Sequence, residues 1–287
     1  ATHPGAQKFV WDRCKENYYR YGIRCFWLDE AEPEYGPYDF DNYRYYAGPA
    51  LQCTNTYPVG YAKGFYEGLK AEGEKEVMSL VRCAWAGSQK YGVLTWSGDI
   101  YSSFRSMREQ LQAGLSMGMA GIPWWTSDIG GFLGGQIDKP EFQELLVRWF
   151  AWGAFCPVFR MHGERSPWYE REEEFRNGVR QLTSGQDNEV WSFGEDNYEI
   201  LKKYLFIRER LRPYVRKCME EASNSGAPVM RPLFYEFPKD AECWNVEDSY
   251  MFGSDLLVSP VMEAGAAERR IYLPAGCKWT DAYTKKE

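Results

Sequence analysis

The sequence predicts an α/β protein built on a parallel sheet, followed by a smaller β-rich domain. Three observations predict it. Short apolar runs rich in aromatic and β-branched residues recur at 21–28, 77–83, 92–96, 120–125 and 155–161, which reads as five buried strands. Helical patterns separate most of them. The patterning then changes near residue 224, where Gly and Pro breakers set in. Repeated strand–helix units imply a parallel sheet, either doubly wound or closed into a (β/α)8 TIM barrel.

The helices follow from spacing. Residues 61–71 carry a helical pattern, and 101–118 sets Phe104, Met107, Leu111 and Leu115 on one face. A third helix over 140–154 opens on Pro140, whose fixed φ suits a first turn. The gap at 84–91 is too short for a helix. A long helix over 195–222 carries Leu201, Tyr204, Leu205, Ile207 and Leu211 at near-helical spacing. Beyond it, 223–226, Pro228 and Pro232 break the pattern, and 256–261 and 270–273 read as short strands. The expected division is 1–223 and 224–287, with the second part a β domain cut short.

Composition narrows the function. The chain of 287 residues holds 12 Trp, 21 Tyr and 16 Phe, and flat aromatic faces are what sugar rings stack on. A net charge of −7 and an isoelectric point near 5.2 argue against nucleic acid, which draws on basic surface. Gly and Pro break the longest uncharged stretch, 110–127, so no membrane span is expected. No secretory signal is read at the N-terminus, and the compartment and oligomeric state stay open. The eight Cys form no CxxC pair and have no His at zinc-ligand spacing, so neither a metal site nor a disulfide framework is expected.

The chemistry lies in where carboxylates fall. Asp29 ends the run Cys25-Phe26-Trp27-Leu28, Asp99 follows Thr95-Trp96-Ser97-Gly98, and Asp128 follows Trp124-Trp125-Thr126-Ser127. An aspartate closing a strand also serves as a helix N-cap, but three in series fit an active site gathered at the C-terminal ends of parallel strands. Each follows a Trp, and indole surface desolvates a carboxyl and raises its pKa. Two carboxyls in unequal environments are what glycoside hydrolysis needs, without a cofactor. Arg160 and His162, in the last strand-like run, supply hydrogen bonds for hydroxyls. The acidic cluster Glu30, Glu32 and Glu34 reads as an Arg-paired or solvated loop rather than a cation site. Spacing alone does not sort the roles of the three aspartates.

These segments resemble glycoside hydrolase family 31, the α-glucosidase and α-xylosidase family of retaining enzymes. Phe26-Trp27-Leu28-Asp29-Glu30-Ala31-Glu32-Pro33 resembles its nucleophile motif. Arg82-Cys83-Ala84-Trp85 and Tyr91-Gly92-Val93-Leu94-Thr95-Trp96-Ser97-Gly98-Asp99 resemble its substrate-contacting arginine and its acid/base segment. Trp125-Thr126-Ser127-Asp128-Ile129-Gly130-Gly131-Phe132 and Arg160-Met161-His162-Gly163 resemble sugar-binding segments. Glu189 to Gly194, Leu211 to Tyr214 and Phe252 to Val261 are similar to structural segments of the family.

The resemblance implies a (β/α)8 barrel represented here by strands four to eight, followed by the start of a C-terminal β-sandwich. It implies Asp29 as nucleophile and Asp99 as acid/base. Trp27, Arg82, Trp85, Trp96, Asp128, Phe132 and His162 become contacts for a terminal α-linked xylose or glucose of an oligosaccharide or α-glycoside. Glu30 and Ala31 stand where many α-glucosidases of the family carry Met and Asn, which turns the expectation toward the α-xylosidase branch. The rival functions are an α-transglycosylase using the same carboxylates and a catalytically silent carbohydrate-binding protein. The isolated chain, with an open sheet edge, is expected to be inactive.

Overall fold

A computed structural model of the chain describes residues 1–33, 40–165 and 185–287, with the backbone alone of Glu174–Arg176 and Val179–Gln181. Four parallel strands make the central sheet in the order β1 (Phe26–Leu28), β2 (Ser79–Val81), β3 (Val93–Trp96) and β4 (Trp125–Thr126). Sequence order equals spatial order, as in a barrel built by successive right-handed crossovers. Leu28 lies beside Val81, Val81 beside Thr95, and Trp96 beside Thr126, so neighbouring strands end almost level. Every residue of β3 is buried, as expected for a strand covered on both faces.

The crossovers are helical for stated local reasons. Helix α1 (Pro4–Asn17) precedes the sheet, α2 (Tyr57–Ala71) links β1 to β2, α3 (Phe104–Met119) links β3 to β4, and α4 (Pro140–Gly153) follows β4. In α3 the Ser103 hydroxyl accepts from the Ser106 N–H at 3.0 Å, capping the first turn, and Met107, Leu111 and Leu115 face inward. Helix α4 opens on Pro140 with Glu141 in its first turn and buries Phe142, Leu145, Leu146, Trp149 and Phe150. The 31-residue α5 (Glu195–Ser225) ends at Gly226, whose φ of +76° and N–H bond to the Ala222 carbonyl at 2.9 Å close it.

Several expectations need correction. The strand expected over 21–28 is only three residues long, because Tyr19–Tyr21 forms a tight turn closed by Gly22 in the left-handed region. No ladder forms over 155–161. Phe155 and Cys156 continue the turn that ends α4, Pro157 has no N–H to give, and what survives is a single parallel bridge between Met161 and Ile129. Residues 270–273 form no strand either, since a strand exists by pairing and none runs beside them among the described residues. Helix α1 was not foreseen, because it buries only Trp11. It docks where Gly68 of α2 leaves room: a Cβ there would lie 2.2 Å from the Trp11 ring.

Past α5, β5 (Met230–Pro232), β6 (Tyr250–Phe252) and β7 (Leu256–Val258) form an antiparallel sheet in the order β7-β6-β5. One apolar cluster runs from the barrel helices into this sheet, uniting Leu146, Trp149 and Trp152 with Leu201, Val215, Met230, Tyr250 and Phe252. Two hydroxyls reinforce it: Tyr250 donates to the Phe155 carbonyl and Tyr214 to the Phe252 carbonyl, both at 2.7 Å.

Because this core is shared, Leu146→Ala is expected to cost about 2–5 kcal/mol through lost burial and an unfilled cavity. Urea unfolding followed by tryptophan fluorescence and by far-ultraviolet circular dichroism checks it, with both midpoints shifting together. Separate transitions for the helical part and the β part would refute a common core.

Candidate active site

The level strand ends bring the acids together. Leu28 and Val81 are register partners, so the next residues, Asp29 and Arg82, leave the sheet side by side, and the Arg82 N–H extends the ladder to the Leu28 carbonyl at 3.2 Å. The Arg82 guanidinium then spans the opening. Its Nη1 lies 3.4 Å from Asp29 Oδ1, its Nη2 3.2 Å from Asp99 Oδ2 and its Nε 2.9 Å from Glu32 Oε1, with Glu30 at 3.7 Å. A planar fork of five donors suits such a multiple role. Asp29 and Asp99 keep 45% and 40% of their side-chain surface open to solvent. Glu32 thus pairs with arginine as the sequence suggested, while Glu34 lies outside the described residues.

Three loops beyond the strand ends are stitched to one another. The N–H groups of Phe132 and Leu133 reach the Ile100 carbonyl at 2.8 and 2.9 Å, and the Ser102 N–H reaches the Leu133 carbonyl at 3.0 Å. On the far side the Glu164 N–H donates to the Phe132 carbonyl at 2.9 Å. Asp99, Asp128 and His162 therefore sit on one connected rim.

Asp128 is the most enclosed of the acids, with no exposed surface. Arg160 donates to its Oδ1, while its Oδ2 is buried without a hydrogen-bond partner among the described residues. Burial pushes its carboxyl up to about 6, in spite of the opposing pull of Arg160. The sequence associated that effect with any Trp-flanked acid, and the structure places it on Asp128. Arg160 also lies over the faces of Trp27 and Trp96, at 5.5 and 5.8 Å from the ring centres.

Aromatic side chains line the rest. Trp27 meets Trp96 edge-on at 5.8 Å and His162 edge-on at 5.2 Å, and Phe132 stacks on His162 at 5.4 Å. Trp96 is 3% exposed and forms the base, whereas Trp27, at 51%, offers open indole surface. Burial lowers the His162 pKa, and the nearby Arg160 and Arg165 act in the same direction, so its imidazole is neutral at pH 7.

Of the nine residues singled out, the structure joins eight: Asp29, Asp99 and Arg82 by charge, Trp27, Trp96, Phe132 and His162 by ring contact, and Asp128 through Arg160. Trp85 differs. It is half exposed where its backbone closes a turn with Ser88, and its indole makes no ring contact with the others among the described residues. Arg160, expected to meet hydroxyls, is engaged with Asp128. Arg165 was missed. It lies fully buried beneath the rim, and its polar neighbours in sequence give no sign of that. Among the described residues no group of His, Cys, Asp and Glu is arranged to hold a metal ion, and no helix is long and apolar enough to cross a membrane.

Comparison with known proteins agrees with this geometry. Residues 1–217 match the model of the glycosyl hydrolases family 31 TIM-barrel domain, and 226–287 that of the glycosyl hydrolase family 31 C-terminal domain. An uncharacterized family 31 glucosidase of Pseudescherichia vulneris is 68% identical over 167 residues, covering 58% of this chain and 32% of that protein. The alpha-xylosidase of Saccharolobus solfataricus is 33% identical over 288 aligned positions, covering 95% and 36%. A solved GH31 alpha-xylosidase from a soil metagenome, complexed with xylose, superposes with a TM-score of 0.95 at 60% identity over 99% of this chain and 42% of its own. The chain spans about a third of the length of these curated relatives. By its barrel strands, its C-terminal sheet and these matches, the chain belongs to glycosyl hydrolase family 31.

Proposed function

We propose that this chain carries the catalytic end of a retaining, exo-acting α-glycoside hydrolase that removes a terminal non-reducing α-linked xylose or glucose. One observation carries the reading. Two partly solvated aspartates, which follow β1 and β3, share the guanidinium of Arg82 from the strand between them, beside a cluster of Trp and His. That is the paired-carboxyl arrangement glycoside hydrolysis uses.

In this reading Asp29 attacks the anomeric carbon as the glycosidic bond breaks, and Asp99 gives its proton to the departing oxygen. The glycosyl group is then held as an ester on Asp29. Asp99, now ionised, takes a proton from water as the water oxygen attacks the anomeric carbon and frees Asp29. Net retention follows from the two displacements. Arg82 holds the Asp29 carboxylate in place by its ion pair, and Oδ2 of Asp128, unpartnered among the described residues, accepts from a sugar hydroxyl. Neutral His162 donates to or accepts from a second hydroxyl, and Trp27, Trp96 and Phe132 wall the ring. The division at about 223–224 between barrel and β domain belongs to the same proposal. Xylose is the favoured sugar, since relatives named for alpha-xylosidase activity match most of the chain.

In the protein with its barrel completed by the remaining strands, Asp29→Ala is expected to lower kcat on an aryl α-xyloside by about 10⁴-fold or more, because the covalent step is lost. Sodium azide should then restore turnover to the inverted glycosyl azide, identified by proton NMR, and undiminished hydrolysis by the variant would refute Asp29 as nucleophile. The same spectra on unsubstituted protein separate hydrolysis from transfer and from silent binding, and compare xylosides with glucosides.

Acidity supplies a second check. Below about pH 6 Asp128 takes up a proton and stops acting as a charged acceptor, so kcat/KM should fall as pH drops through that value. Asp128→Asn should lose this limb along with most of its affinity. A variant whose limb stays near 6 would assign that titration to another group.

A further inference from the structure

The strongest group outside the proposed chemistry is Arg165. Its side chain is fully buried, so it touches no substrate. No carboxylate pairs with it directly among the described residues. Instead Nη2 donates to the Ile129 carbonyl at 2.7 Å and to the His162 carbonyl at 3.3 Å, Nη1 to the Gly131 carbonyl at 2.7 Å, and Nε to Asn188 Oδ1 at 2.8 Å. Its guanidinium also lies 4.9 Å from the centre of the Phe142 ring on α4.

Those carbonyls are not arbitrary. Ile129 follows Asp128, Gly131 precedes Phe132, and the third belongs to His162 itself. One rigid fork thus holds the backbone of His162 and of the immediate neighbours of Asp128 and Phe132, the three residues whose side chains face the sugar in the reading above. The enclosing chain is shaped around it. A Cβ on Gly163 would lie 2.3 Å from Nη1, and Arg165 holds a φ of +50°, a conformation that side-chain-bearing residues enter at a cost. Burying a guanidinium against dipoles alone is expensive, and a Met of similar length would fill the space more cheaply. Fixed donors in a dry site give geometry in return.

We propose that Arg165 is a positioning residue, which locks the 128–132 turn to the His162 segment so that Asp128, Phe132 and His162 meet a sugar at one fixed spacing. The inference rests on the α-glycosidase reading of the site. A clamp of this kind acts on substrate binding more than on bond cleavage. Its positive charge also opposes proton uptake by Asp128.

Steady-state kinetics on an aryl α-xyloside of the protein with its barrel completed by the remaining strands, with Arg165→Lys and Arg165→Gln, test it. Both variants should raise KM by about 10-fold or more, with a smaller change in kcat, since the misplaced groups bind ground state and transition state alike. Arg165→Gln should also move the acid limb of kcat/KM upward, whereas Arg165→Lys, which keeps the charge, should leave it in place. Asn188→Ala, which removes only the Nε acceptor, gives a milder KM increase and keeps the test open if the Gln variant does not fold. Folded variants with unchanged KM and unchanged acid limb, or with fewer active molecules of normal KM, overturn the proposal. Tryptophan-fluorescence titration with xylose separates the two readings. Absence of both turnover and xylose binding in the unsubstituted protein with its barrel completed sinks the α-glycosidase reading and this inference with it, while normal turnover with an unaltered Gln variant sinks this inference alone.

Discussion

The parallel register of β1, β2 and β3 sets Leu28, Val81 and Thr95 level, and from that alignment the rest of the site follows. A slip of one position between β1 and β2 would turn Asp29 and Arg82 to opposite faces, because side chains alternate along a strand. Level ends instead put the Arg82 guanidinium within reach of Asp29, Asp99 and Glu32 together. Such alignment needs buried strands that cannot slide, and the fully enclosed β3 supplies them. The apolar core therefore fixes where charge meets charge.

Charge in this site is graded by depth. At the mouth, Asp29 and Asp99 are partly solvated and held by Arg82. One layer in, Asp128 has lost its solvent, and burial dominates over Arg160 so that the carboxyl titrates near 6. Burial works on His162 with the opposite sign, holding it neutral. At the base, Arg165 bears a full charge among carbonyl dipoles, and burial lowers its pKa to about 10, still far above neutrality. The aromatic rings of Trp27, Trp96 and Phe132 supply the low-dielectric walls that keep these layers distinct. Polar contacts inside such walls are stronger than in water, and a missing partner is costlier, which makes the orphan Oδ2 of Asp128 a point of strong demand for a hydroxyl.

Legibility in the sequence tracks how local each feature is. Asp29, Asp99 and Asp128 stand out because an apolar run followed by an acid is contiguous in the chain, and α3 and α4 declare themselves by one-sided spacing. The segment 155–161 misled because its apolar run resembles a strand while Pro157 and the end of α4 deny it the donors a ladder needs. Helix α1 stayed hidden because it buries one residue and shows almost no periodic face. Arg165 was illegible for a third reason. Its partners are backbone carbonyls 34 and 36 positions away, and no side-chain pattern marks them. The doubly wound and barrel alternatives, which periodicity left open, were separated only by the family's own segments.

Backbone strain shows where this fold gives up stability for placement. Among the described residues only Glu30, Arg165 and Lys285 take a left-handed φ without being glycine. Two of the three are at the site. Glu30, at φ +50°, turns the chain directly after the proposed nucleophile, which is what carries Glu32 back to within 2.9 Å of Arg82 Nε. Arg165 does the same after the His162 segment and so aims its fork at the 128–132 turn. A left-handed residue of this kind costs about 1–2 kcal/mol. Both turns are closed by charge-assisted or multiple hydrogen bonds, which are strong enough to hold them. A relaxed glycine at position 30 would leave the Glu32–Arg82 ion pair free to move, and one at 165 would remove the clamp together with its strain. The strain is therefore best understood as the cost of keeping Glu32 beside Arg82, and the 128–132 turn beside His162, before any ligand arrives.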